Sequence, residues 1–297
     1  MFDYTQLQAL AAILRTGSFD GAATELHVTP SAVSQRIRAL EDRLGTPLVI
    51  RAQPCRATEA GARLARHVED VELLEAALRG DFGGDLGGAP GAARVRIAVN
   101  ADSLATWILP ALAAVPGLLY DLVIDDQDHS ADWLRRGEVQ AAVTAHDSAV
   151  AGCDLHPLGR LRYIATASPG FVARWFGAGV TAGTLARAPA LTFDRKDRLQ
   201  RDWARRIAGR PVALPTHLLA SSQGFVEAAR LGLGWGMNPE ILVRDDLAAG
   251  RLVALVPGAP LDTPLVWQAG RLTGAALAPL TRAIREVAAT ALLPQAA

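Results

Sequence analysis

Between positions 30 and 44, hydroxyls, an amide and a guanidinium recur at three- and four-residue steps: Ser31, Ser34, Gln35 and Arg38, with Arg36 among them. On a helix this spacing gathers side chains near one face, while Ala32, Val33 and Ile37 turn toward a small core. Such a face suits a DNA major groove. Gln matches the donor and acceptor of adenine, Arg the two acceptors of guanine, and Ser either a base edge or a phosphate. From 30 to 56 the basic residues Arg36, Arg38, Arg43, Arg51 and Arg56 stand against Glu41 and Asp42, a net +3. Arg51 and Arg56 fall on a short extended hairpin (47–58), where a wing can touch phosphate or the minor groove.

A second constellation has the opposite sign. From Ile97 through Leu134 there is no Lys or Arg, and Asp102, Asp121, Asp125, Asp126, Asp128 and Asp132 give −6. Carboxylates drawn together at a cleft select a cationic ligand. Asp125 and Asp126 close a strand at 120–125, and Asp128 follows where it equally begins the next helix. Asn100 and Ser103 come after a strand at 94–100, where a helix starts and its free N–H groups favour a carboxylate; Asp102 reads as an N-cap there. Thr144 ends a third strand, Asp194 follows a short apolar one, and Ser221 and Ser222 open a helix as caps that can also grip a ligand. Together these residues form the candidate effector site.

Catalytic and metal chemistry find no support. Asp128, His129 and Ser130 are adjacent and cannot arrange a proton relay, and no GxSxG, HExxH, GxGxxG or P-loop occurs. Cys55 and Cys153 lie 98 positions apart with no CxxC, so neither a disulfide framework nor a zinc site is expected. The expectation is a protein that is not an enzyme and carries no cofactor.

The elements that must position these groups change character along the chain. Residues 5–17, 18–26 and 30–44 read as helices, with Ser18 and Thr29 as caps and Gly17 and Gly45 as stops. Thr58 caps a long helix through about Arg79, whose Leu64, Val68, Val71, Leu74 and Leu78 form an apolar stripe fit to pair with a second copy. Residues 80–93 hold six Gly and a Pro and mark a hinge. Beyond it, strands alternate with helices: strands at 94–100, 120–125, 139–145, 190–193, 217–220, 233–237, 251–256 and 264–268, and helices at 103–115, 133–136, 199–207, 224–231 and from 275. That pattern predicts α/β lobes with parallel sheets and a cleft between them. The boundaries follow: 1–57 a winged helix-turn-helix, 58–93 a dimerisation helix and hinge, 94–297 an effector-binding domain.

With 297 residues, 50% apolar and 20% charged, the chain has a globular composition, and no apolar run is long enough for a membrane span. MFDYTQLQAL lacks a basic n-region, so a cytoplasmic protein is expected. Thirty basic and thirty acidic residues cancel, which read alone argues against a uniformly basic DNA-binding surface. All the basic residues except Lys196 are Arg.

The stretch LQALAAILRTGSFDGAATELHVTPSAVSQRIRALEDRLGTPLVIR resembles the N-terminal domain of LysR-type transcriptional regulators, with their AA..L..T.SAVSQ.I..LE..LG..L..R spacing. The TEAG opening of the long helix and the two-lobed remainder extend the resemblance over essentially the whole chain. Pro30 departs from the pattern, where Gln is common, and removes one polar contact to DNA. VNADSLATWILPAL, LRRGEVQAAVT, the Asp194 turn and SSQGFVEAARLGLGWGMNPE are similar to the branch that regulates lysine and arginine export. The resemblance implies an N-terminal winged helix-turn-helix with a long linker helix, then a periplasmic-binding-protein-like α/β domain. It also implies operator DNA and RNA polymerase as partners, a homodimer or homotetramer, a lysine or arginine effector, and activation of an exporter gene. The alternatives are a regulator of the same type with a different effector, or an architectural DNA-binding protein without one.

Overall fold

A computed structural model describes residues 2–81, 93–126, 130–145 and 148–295. The chain forms two compact units, one up to Val95 with Gly117–Leu119, the other Arg96–Pro116 with Tyr120 onward.

The first unit opens with α1 (Tyr4–Thr16), α2 (Phe19–Glu25) and α3 (Pro30–Leu44). Each starts where a side chain accepts an otherwise unpaired first-turn N–H: Asp3 from Thr5, Ser18 from Gly21 and Thr29 from Ala32. Gly17 and Gly45, both left-handed, end α1 and α3. The apolar faces meet in one core of Leu7, Leu10, Ile13, Ala22, Val33, Ile37 and Leu40. The hairpin follows as β1 (Val49–Ile50) and β2 (Arg56–Ala57), antiparallel, and then α4 (Glu59–Asp81). Thr58 begins α4 by accepting the Gly61 N–H at 3.1 Å and donating to the Pro47 carbonyl at 2.8 Å. Gly61 is required there: a Cβ would lie 2.0 Å from the Leu48 carbonyl oxygen.

The second unit holds β3 (Ala93–Val99, shared with the first), α5 (Ala101–Thr106), α6 (Ile108–Ala113), β4 (Leu118–Ile124), α7 (Ser130–Arg135), β5 (Ala141–Thr144) and β6 (Cys153–Ala167). Then come α8 (Pro169–Phe176), α9 (Ala182–Leu185), β7 (Ala190–Thr192), α10 (Leu199–Ala208), β8 (Thr216–Leu218) and α11 (Ser222–Arg230). β9 (Gly236–Pro239), α12 (Glu240–Ala248), β10 (Val253–Ala254), β11 (Leu261–Gly270), a short turn of 3₁₀ helix and α13 (Ala278–Ala291) complete it. The main sheet runs β10-β6-β11-β5-β3-β4 with β9 also on β6, and β7 pairs β8 separately.

Parallel pairing was expected throughout; the sheets are mixed. β3 with β5 and β7 with β8 are parallel, but β6 runs antiparallel to β11, β9 and β10. β6 is the element that joins the lobes, pairing β11 along its first part and β9 and β10 along its end. The sequence conceals it because Pro157 and Gly159 interrupt the run. Both sit at a bulge, where Val266 pairs with Pro157 and Leu265 with Gly159, so a proline is tolerated. The single helix expected over 103–115 is two, broken at Trp107, because Pro110 has no N–H to donate to the Thr106 carbonyl. Trp107, Trp203, Trp235 and Trp267 are buried and serve as core; Trp203 lies 5.2 Å from Trp235 between ring centroids. Among the described residues no helix is long and apolar enough to cross a membrane.

Gly61→Ala is expected to cost about 1–3 kcal/mol through overpacking of the hairpin against α4. Chemical denaturation followed in the first unit measures it, and an unchanged midpoint contradicts the close approach.

Candidate functional site

In the first unit α3 carries the candidate DNA-reading face. Ser31, Gln35 and Arg38 are exposed and Ser34 and Arg36 half-buried, while Val33, Ile37 and Leu40 are fully buried beneath them. The burial of one stripe therefore fixes which side chains remain outside. Glu41 secures the hairpin to α3 by accepting the N–H of Leu48 at 2.7 Å and of Val49 at 3.3 Å. On that hairpin Arg51 and Arg56 are exposed, and the Arg51 guanidinium lies 5.0 Å from the Phe19 ring centroid of α2, which limits its wandering.

The stripe proposed for dimerisation divides. Val68 is fully buried in the chain's own core and Leu64 packs against it, so the expectation that they face a second copy is corrected. α4 folds this end onto α1, whose apolar face needs the cover. Val71 and Leu74 are half-buried and Leu78 is 55% exposed, so the far end of the stripe keeps surface for a partner.

In the second unit a cleft opens between the lobes. Its outer part, about 510 Å³ and open to solvent, is lined by Asn100, Asp102, Asp125, Asp126, Asp194 and Asp197 with Ile124, Phe193 and Leu199. Asn100, Asp125, Asp126 and Asp194 are thus brought together from the candidate set. Ser222 lines a deeper chamber continuous with the first through Asp102, Phe193, Asp197 and Leu199. Ser103, Thr144 and Ser221 do not line either part. Ser103 is fully buried, Thr144 accepts from the Gln268 amide at 3.0 Å on buried β5, and Ser221 caps α11 through the Gly224 N–H. Asp128 lies outside the described residues.

Asp102 was read as an N-cap; the cap is Asn100, and Asp102 sits in the first turn of α5. There its carboxylate joins three elements, accepting the Ser222 hydroxyl of α11 at 2.6 Å and the Tyr163 hydroxyl of β6 at 2.8 Å. Burial pushes the Asp102 carboxyl up, against the lowering effect of these two hydroxyls and with the Asp126 charge adding to the rise. Burial, together with the neighbouring Asp102 charge, drives the Tyr163 phenol well above its ordinary range.

A second link crosses the cleft. Lys196, the chain's single lysine, lies 3.3 Å from Asp125. Burial acts to raise the Asp125 carboxyl, but the Trp133 indole at 2.9 Å, the Asp126 N–H and Lys196 hold it below its usual range. Asp194 accepts the N–H of Lys196 and Asp197, shaping the turn that delivers both. Asp197 in turn accepts the N–H of Phe193 and Leu199, yet burial raises its carboxyl.

Sequence reasoning missed Asp197, Lys196, Phe193, Gln200 and Asn238 as cleft residues. The charged run Asp194-Arg195-Lys196-Asp197 after a strand was a usable signal for two of them. Gln200 and Asn238 carried none.

Two family models match the chain: the bacterial regulatory helix-turn-helix protein, lysR family, over residues 4–62, and the LysR substrate binding domain over residues 88–289. The chain belongs to the LysR family of transcriptional regulators. It is 46% identical over 286 residues to the HTH-type transcriptional regulator LysG of Mycobacterium tuberculosis, covering 96% of this chain and 93% of that one. Its fold matches the crystal structure of ArgP from Mycobacterium tuberculosis with a TM-score of 0.81 and 44% identity, over 99% and 100% of the two chains. Full-length LysG from Corynebacterium glutamicum with bound effector Arg matches with a TM-score of 0.67 and 37% identity, again over 99% and 100%. As a LysR-family member the chain is a DNA-binding regulator and not an enzyme.

Tyr163→Phe leaves one Asp102 oxygen without its donor and is expected to cost about 1–3 kcal/mol; an unchanged thermal midpoint contradicts this bond. The raised Asp102 carboxyl also has a signed consequence. Over the pH interval between its unfolded and folded ranges the folded chain binds the extra proton, so this group's stabilisation is present below the interval and lost as pH rises through it. Comparing urea unfolding of the wild type and Asp102→Asn across pH isolates that contribution, which the variant lacks.

Proposed function

We propose that this LysR-family regulator reads operator DNA with residues 1–57 and senses lysine or arginine in the cleft of residues 94–297. It acts as a homodimer or homotetramer joined partly through Val71, Leu74 and Leu78, and activates an exporter gene for the same amino acid through RNA polymerase. One observation carries the ligand reading: five carboxylates, of Asp102, Asp125, Asp126, Asp194 and Asp197, line a single cleft. A cation entering it is paired on arrival, whereas an anion meets like charge. The relative crystallised with bound arginine supports the same class of effector. Asn100, Asp125, Asp126, Asp194 and Ser222 are the candidate contacts.

On DNA, Ser31, Ser34, Gln35 and Arg38 of α3 approach base edges, Arg36 its flanking phosphates, and Arg51 and Arg56 the backbone or minor groove beside the hairpin. The effector favours one arrangement of the lobes over the other, and its differential affinity shifts the regulator's states on the operator.

Two outcomes follow. Isothermal calorimetry over the amino acids is expected to give heat with lysine or arginine and none with glutamate, and Asp126→Asn to weaken binding about tenfold, as for loss of one charge-assisted hydrogen bond. Binding only of neutral or acidic amino acids contradicts the cation reading. Arg38→Ala is expected to cost about 1–3 kcal/mol on operator DNA and far less on non-specific DNA in gel-shift titrations. Equal losses reduce Arg38 to a phosphate contact.

A further inference from the structure

Behind the acidic mouth lies a chamber of about 270 Å³, walled by Asp102, Gln200, Ser222 and Asn238 with the apolar Phe225 and Met237. Its polar wall is incompletely bonded. Gln200 is 1% exposed, and neither the oxygen nor the nitrogen of its carboxamide has a hydrogen-bond partner. Asn238 is fully buried; its Nδ2 donates to Thr166 Oγ1 at 2.9 Å and to the Gly236 carbonyl at 3.5 Å, which leaves Oδ1 without a donor. Buried amides are nearly always paired, and an unpaired one is costly to keep. Two such amides facing one chamber indicate a group that completes them.

The chemistry of that group follows from the wall. Gln200 Oε1, Asn238 Oδ1 and the Asp102 carboxylate all accept, and each Asp102 oxygen retains a lone pair beyond its bond from Ser222 or Tyr163. Gln200 Nε2 is the one unpartnered amide donor on this wall. Three acceptors, one of them charged, call for several N–H groups on a cation. The apolar Phe225 and Met237 suit the methylene stem behind such a head and exclude water from it.

We propose that this inner chamber is the subsite for the effector's side-chain cation, whose N–H groups donate to Gln200 Oε1, Asn238 Oδ1 and the Asp102 carboxylate. The ammonium and carboxylate of the amino acid's backbone stay in the outer mouth beside Asp126 and Lys196. This assignment rests on the reading of the cleft as a basic amino acid site and adds which groups distinguish a basic side chain from an apolar one of equal length. A neutral side chain leaves the three acceptors unpaired, and a site of that kind rejects such an analogue strongly.

Calorimetry on the full chain with lysine, arginine and norleucine tests it. For the wild type, lysine or arginine is expected to bind at least about a hundredfold more tightly than norleucine. Gln200→Met and Asn238→Leu are each expected to weaken the basic amino acid about tenfold or more and to narrow its advantage over norleucine. Gln200→Met also removes an unpaired buried amide, so the thermal midpoint of the ligand-free chain is expected to hold or rise, separating lost recognition from lost folding. A wild type that binds lysine or arginine, with both variants keeping its affinity and its discrimination, overturns the subsite alone. A wild type that binds no basic amino acid overturns the cation reading of the whole cleft.

Discussion

A carboxylate withdrawn from water has to be met by donors or by a cation, and in this molecule that demand falls on Asp102. Its two oxygens hold Ser222 from one lobe and Tyr163 from the strand that joins the lobes. The arrangement of the cleft depends on these bonds because α5, α11 and β6 converge nowhere else with comparable chemistry. Burial keeps Asp102 reluctant to ionise, and Asp126 nearby makes it more so. An arriving cation relieves both effects at once, so ligand binding and the ionisation of this residue are linked.

The net charge of zero conceals this arrangement. The segment bearing α3 and the hairpin is positive, the cleft negative, and the two sums cancel. Charge placement, more than total charge, separates a surface that attracts phosphate from one that attracts an amino group. Lys196 fits the same logic: as a tethered ammonium at Asp125, it satisfies within the chain what an effector's cation would otherwise satisfy.

The helices of the first unit were legible in the sequence because their caps, stops and apolar periods are local. Ser18, Thr29, Pro30, Gly17 and Gly45 each act within one turn, and the structure places each at the start or end it signals. β6 was not legible, since its pairing partners lie about a hundred positions away and Pro157 hides its continuity. The same distinction governs the cleft. Asp125 and Asp126 announce themselves at a strand end, but Asp102 becomes a cleft residue only through partners far along the chain. Gln200 looks like any polar residue at the start of a helix, and its lack of partners emerges from tertiary packing. Likewise the stripe on α4 was correctly periodic, yet periodicity does not say that Val68 is covered by its own chain.

The central claim is that an acidic cleft in one unit governs how the regulator engages DNA through the other. Footprinting of the operator by the full chain, with and without each amino acid, tests this most directly. The account predicts that lysine or arginine changes the protected pattern while leucine and glutamate leave it as it was. A footprint insensitive to every amino acid contradicts it.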